Sequence, residues 1–75
     1  MAAAQRYAFC GNRFFVLEAM RGAGLDVASV AAVAGSHLQR ALAQQKIPHA
    51  VVAGKDDFLR WLEAAPFDVF VGAYV

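Results

Sequence analysis

Residues 7–22, Tyr7-Ala8-Phe9-Cys10-Gly11-Asn12-Arg13-Phe14-Phe15-Val16-Leu17-Glu18-Ala19-Met20-Arg21-Gly22, decide the fold. Tyr7-Ala8-Phe9-Cys10 is an apolar run of strand length ended by Gly11-Asn12, which reads as a buried strand entering a turn. From Arg13 the period changes. Phe14, Phe15, Leu17, Ala19 and Met20 leave Glu18 and Arg21 outside, which predicts a helix capped by Asn12 and stopped by Gly22 or Gly24.

The same alternation continues downstream. Asp26 leads into Val27-Ala28-Ser29-Val30-Ala31-Ala32-Val33, an uninterrupted apolar run expected of a strand covered on both faces. Ser36-His37-Leu38-Gln39 has the spacing of a capping box and starts a second helix, which Ile47-Pro48 closes. His49-Ala50-Val51-Val52 is a short third strand ended by Gly54. Asp56 and Asp57 sit where acids favour a helix start, Phe58, Leu59, Trp61 and Leu62 make its apolar face, and Pro66 follows its end. Phe67-Asp68-Val69-Phe70-Val71-Gly72 is the fourth strand.

Strands alternating with helices across short connections predict an α/β fold, Rossmann-like, with a parallel sheet in the order 3-2-1-4 and three helices. No repeat, linker or low-complexity segment divides residues 1–75, so a single domain is expected. The sequence stops at Val75 as strand four ends. Together with a 60% hydrophobic composition, against roughly 45–50% in average soluble domains, this reads as the first half of a doubly wound domain with an open hydrophobic edge.

Composition removes several classes. The longest uncharged stretch, Val27 to Gln39, falls short of the about 20 apolar residues of a membrane span. The N-terminus has no signal-peptide pattern, and one cysteine makes neither a disulfide nor a multi-cysteine zinc site, so the cytoplasm is expected. Seven basic and six acidic residues without runs leave no electrostatic footprint for nucleic acid or an anionic membrane. Gly11-Asn12-Arg13-Phe14-Phe15-Val16 lacks the second and third glycines of a dinucleotide fingerprint, and no phosphate-binding loop is present.

In open α/β sheets ligands bind beyond the strand carboxyl ends where strand order reverses. Here that point lies between strands one and four. It joins Gly11, Asn12 and Arg13 from the first turn with Gly72, Ala73 and Tyr74 from the last. Gly11 permits close backbone approach, the amides opening helix one face outward, and Arg13 adds positive charge, an arrangement suited to an anion or polar head group. A plain strand-to-helix turn accounts for the same residues. Cys10 reads as a small buried apolar residue, His37 and His49 have no companion at metal-ligand spacing, and Lys55, Asp56 and Asp57 read as a polar turn. No catalytic residue and no metal ligand is assigned.

Tyr7 to Ala19 resembles the opening of the formyltransferase family, in which an apolar strand ends in glycine, a polar pair and phenylalanine follow, and a leucine-containing helix comes next. Asp26-Val27-Ala28-Ser29-Val30 is similar to the family's second strand and Leu38 to Pro48 to its second helix. Phe67-Asp68-Val69-Phe70-Val71 resembles its fourth strand, and Ala73-Tyr74 resembles the close of that strand in the methionyl-tRNA formyltransferase branch, where glycine usually stands at the position of Val75. The resemblance implies transfer of a formyl group from 10-formyltetrahydrofolate to an amine of methionyl-tRNA, of a nucleotide-linked amino sugar or of glycinamide ribonucleotide. It also implies an Asn-His-Asp catalytic set located after the fourth strand, to which Asn12, His37 and His49 do not correspond. Gly11, Asn12 and Arg13 carry over as residues near the acceptor substrate, and Tyr74 as a residue at the cleft mouth. The chain by itself is then expected to be inactive. Two alternatives come from other classes: a non-catalytic nucleotide- or sugar-binding α/β module, and a vestigial product that associates through its open strand edge.

Overall fold

The computed structural model describes residues 5–73. Its elements run β1 (Arg6–Gly11), α1 (Phe14–Gly22), β2 (Asp26–Val33), α2 (His37–Gln44), β3 (Ala50–Val52), α3 (Lys55–Ala64) and β4 (Val69–Ala73). The four strands form one sheet in the order β3-β2-β1-β4. All three neighbouring pairs are parallel. This is the α/β architecture expected from the alternation of apolar runs and amphipathic stretches.

Each helix stops for a local reason. After α1, Gly24 takes a left-handed φ of 82°. That turn lets the Gly24 amide donate to the Arg21 carbonyl and the Leu25 amide to the Met20 carbonyl, a Schellman ending with Leu25 and Met20 both in the core. α2 ends in the same way. The Lys46 amide donates to Ala43 and the Ile47 amide to Leu42, but the left-handed residue, at φ 56°, is Lys46. Helix two therefore ends before Ile47-Pro48, and proline is not what stops it. α3 runs out into extended backbone at Ala65, the residue before Pro66, where proline disfavours helical geometry.

The two faces of the sheet are covered unequally. On one, α1 and α2 bury Leu17, Met20, Leu38 and Leu42 against Phe9 and Ala32. On the other, α3 lies over Cys10, Ala31 and Val52, against which Phe58 and Trp61 pack half-buried. A register shift makes both faces possible. Between Tyr7 and Ala8 the pairing skips Ala28, so Tyr7 stands opposite Val27 and Ala8 opposite Ser29. The bulge resets the alternation of β2, which is how Val27, Val30 and Ala32 all reach the α1/α2 side while Ala31 faces α3. The continuous apolar run in the sequence conceals that irregularity.

The single α3 layer is fastened at both ends by carboxylates. Asp57 accepts hydrogen bonds from the Ala53 amide at 3.1 Å and from Arg60 at 2.7 Å. Asp68, on the path from α3 into β4, accepts from the Arg6 amide at 2.8 Å and pairs with the Arg6 guanidinium at 3.5 Å. Both carboxyls ionise below the ordinary aspartate value. The backbone amides, of Ala53 and Arg6 respectively, are the first cause, and the Arg60 and Arg6 side chains follow.

Candidate ligand-binding site at the strand ends

Strand order reverses between β1 and β4, so their carboxyl ends flank the crevice in which such sheets place ligands. Gly11 ends β1 opposite Ala73. A Cβ at position 11 would stand 2.5 Å from the Ala73 carbonyl oxygen and 3.0 Å from the Phe9 ring, so only glycine lets the two strand ends close up. One residue on, the Asn12 amide donates to that same Ala73 carbonyl at 3.3 Å. The Asn12 carbonyl in turn accepts from the Leu38 amide at 3.1 Å, which fastens the turn to the start of α2. Gly11 and Asn12 are thus held from both sides.

The expected cap of helix one is corrected here. α1 opens with Arg13, not Asn12, at the capping position, in extended geometry and with no side-chain cap. Asn12 is drawn one step back into the strand pairing by its amide bond to Ala73, which leaves Arg13 as the residue entering the helix. Its side chain is exposed.

The other helix starts already have carboxylate or hydroxyl partners. Ser36 accepts from the Gln39 amide at 3.2 Å, as the capping-box spacing predicts. The Gln39 side chain reaches back to the Gly35 amide at 2.6 Å, one residue before the cap position. At α3 the two acids of the first turn supply negative charge to the helix end. α1 has no acid in its first turn. Its start therefore combines the positive end of a helix dipole with an exposed guanidinium, while the Ala73 carbonyl accepts from the Asn12 amide.

Of the four residues assigned from sequence, Gly11, Asn12 and Arg13 are contiguous at this strand end and two of them touch Ala73. Tyr74 lies outside the described residues. Separately, a recess of about 340 Å³ opens at the carboxyl ends of β2 and β3, lined by Val33, Val52, Ala53, Gly54, Lys55 and Phe58. It is apolar apart from the Lys55 rim. Sequence reading missed it because its walls come from two stretches far apart in the chain, Val33 and residues 52–58, that carry no motif.

Cys10 is fully buried, as its apolar setting predicts. Among the described residues no three His, Cys, Asp or Glu side chains gather closely enough to hold a metal ion. None of the described helices is long and apolar enough to cross a membrane. No protein-family model, curated protein or solved structure matches the chain.

Proposed function

We propose that the chain forms the substrate-binding part of a formyl-transfer domain. The β1–α1 turn seats the polar or anionic portion of an amine acceptor, and 10-formyltetrahydrofolate is the formyl donor. The observation that carries the reading is the strand-order reversal at Gly11, where an uncapped helix start and the exposed Arg13 stand beside the paired ends of β1 and β4. Helix amides and a guanidinium attract the phosphate of a nucleotide-linked amino sugar, of glycinamide ribonucleotide or of an aminoacyl-tRNA end. The resemblance of Tyr7–Ala19 to the opening of formyltransferases supplies the reaction class.

In such a reaction the amine attacks the formyl carbon, and the oxyanion that develops needs amide or imidazolium donors while a base takes the amine proton. This chain's contribution is to position the acceptor; the residues that meet the oxyanion are assigned to none of its side chains. On this reading, residues 1–75 are expected to show no turnover by themselves.

Amide chemical-shift mapping tests this. Titration with glycinamide ribonucleotide and with a nucleotide-linked amino sugar is expected to move the amides of Gly11, Asn12, Arg13 and Phe14. Arg13→Ala weakens that binding about 10-fold, the usual effect of removing one charge-assisted contact. Undisturbed amides at the turn, or turnover of 10-formyltetrahydrofolate by the chain alone, would overturn the proposal. Binding of nucleotide sugars that lack the amine as strongly as those that carry it turns the reading to a non-catalytic sugar-nucleotide module.

A further inference from the structure

We infer that the outer edge of β4 is a docking surface for a second copy of this chain, joined antiparallel about a two-fold axis through Val71. The backbone carries the argument. β4 ends the sheet order, so one of its sides meets β1 and no described strand lies on the other. The Ala73 carbonyl accepts from Asn12 of the β1 side. Successive residues of a strand alternate sides, so Val69, Val71 and Ala73 turn their amides and carbonyls to β1. Phe70 and Gly72 turn theirs outward.

That outward set is self-complementary. With Val71 opposite Val71 of the second copy, Phe70 stands opposite Gly72 of that copy and Gly72 opposite its Phe70. Each of these two pairs exchanges both N–H···O bonds, so four hydrogen bonds use every outward amide and carbonyl of Phe70 and Gly72 in both copies. Centring on Phe70 instead would set two large rings against each other and strand Gly72 opposite Asp68, whose amide is already given to Arg6.

Side chains favour the same register. Phe70 lies on the α3 face, where its ring meets Phe58 at 5.7 Å and Trp61 at 6.3 Å between centroids, and it remains 37% exposed. In the paired sheet that ring covers the bare Cα of the opposite Gly72, the arrangement by which an aromatic compensates an edge glycine.

Charge does not oppose the union. β4 is Val-Phe-Val-Gly-Ala, with no lysine or proline, and its pairing with β1 shows no bulge, so among the described residues these three guards of natural sheet edges are absent. The neighbouring Asp68 is neutralised by Arg6. The opposite edge, β3, is only three residues long. A contact of one short strand and two rings falls in the class of interfaces below about 1,200 Å², so the dimer forms at micromolar rather than nanomolar concentration. It does not depend on what the strand-end cleft binds.

Sedimentation equilibrium of the 75-residue chain from about 5 to about 500 μM is expected to show mass rising from one chain to two and stopping there, as a closed two-fold contact requires. Gly72→Pro, which removes an outward amide, stays monomeric throughout, whereas Val51→Lys on the β3 edge dimerises like the parent. Should the proline variant fail to fold, amide exchange in the unaltered chain replaces it. Protection of Phe70 and Gly72 increases with concentration while that of Val69 and Val71 does not change. A monomer at every concentration, a mass that grows past two by β4-to-β3 pairing, or concentration-independent exchange at Phe70 and Gly72 would each overturn the inference.

Discussion

The two faces of this sheet come from the same kinds of residue and end up packed to different standards. On the α1/α2 face, Phe9, Leu17, Leu38 and Leu42 are fully buried. On the α3 face the fully enclosed residues are small, Cys10 and Ala31, and α3 itself buries none of its side chains completely. The cause is topological. Two crossovers, β1 to β2 and β2 to β3, lay a helix each on one face, while the step from β3 to β4 passes β2 and β1 with a single helix. One helix cannot roof four strands, so Phe70 on the edge strand stays 37% exposed. Aromatic rings substitute for the missing layer. Phe58, Trp61, Phe67 and Phe70 meet in tilted and edge-on contacts, which shield one another without requiring burial on every side. Burial on one face is collective, and on the other it depends on a few large side chains.

Removing one aromatic from each face is the most direct attack on this contrast. Phe9→Ala leaves a cavity in the α1/α2 core and is expected to cost about 3–5 kcal/mol, a large share of the about 4–11 kcal/mol that a chain of this length commands. Trp61→Ala removes a half-buried ring and is expected to cost about 1–2 kcal/mol. Urea denaturation of the two variants measures both, and equal losses would erase the difference between the faces. A smaller effect of opposite sign comes from Lys46, which closes α2 on the better-packed face in a conformation that L-residues avoid. Lys46→Gly is expected to raise stability by about 1 kcal/mol or less, as relief of the left-handed strain outweighs the entropy of glycine; a lower Tm would show that the lysine stem is needed there.

The smallest effect at neutral pH sharpens the contrast through acid. Asp57 and Asp68 both serve the α3 layer, and their native pKa values lie below the ordinary one. Their stabilisation is complete above about 3.9 and is lost as pH falls through the lowered native values. Trp61 is the chain's single tryptophan and sits on that face. Its fluorescence is therefore expected to change at a higher pH than the far-ultraviolet circular dichroism of the whole fold, and Asp68→Asn should narrow the gap. Coincident transitions would mean that the two faces unfold as one.

The order of strands and helices was legible because the apolar runs end at Gly, Asn or Pro, and because charges are kept to helix faces, turns and the first residues of strands. Ser36 and Gln39 announced the start of α2 through spacing alone. What was not legible depends on residues far apart in the chain. Asn12 carries the cap preference, yet its amide is claimed by Ala73, so Arg13 opens α1. Asp68 reads as part of a strand, but it bonds to Arg6, 62 positions away. The bulge at Ala28 is hidden because alanine suits either face, and the left-handed Lys46 because the sequence signal for that turn is glycine. For the strand-end site, Gly11 was visible as a turn residue. Its crowding against the Ala73 carbonyl follows only once β4 lies beside β1.

Cys10 lies one residue before the carboxyl end of the inner strand β1, with its sulfur sealed under α3. A thiol in that position cannot meet an alkylating reagent until the α3 layer lifts. The rate at which the intact chain is labelled at its one cysteine is thus a clock for that opening. When reclosing is faster than chemistry, the ratio of this rate to that of an exposed thiol is the equilibrium constant for raising the roof of the thinner face. Mass measurements over a time course of alkylation would read it without any change to the sequence.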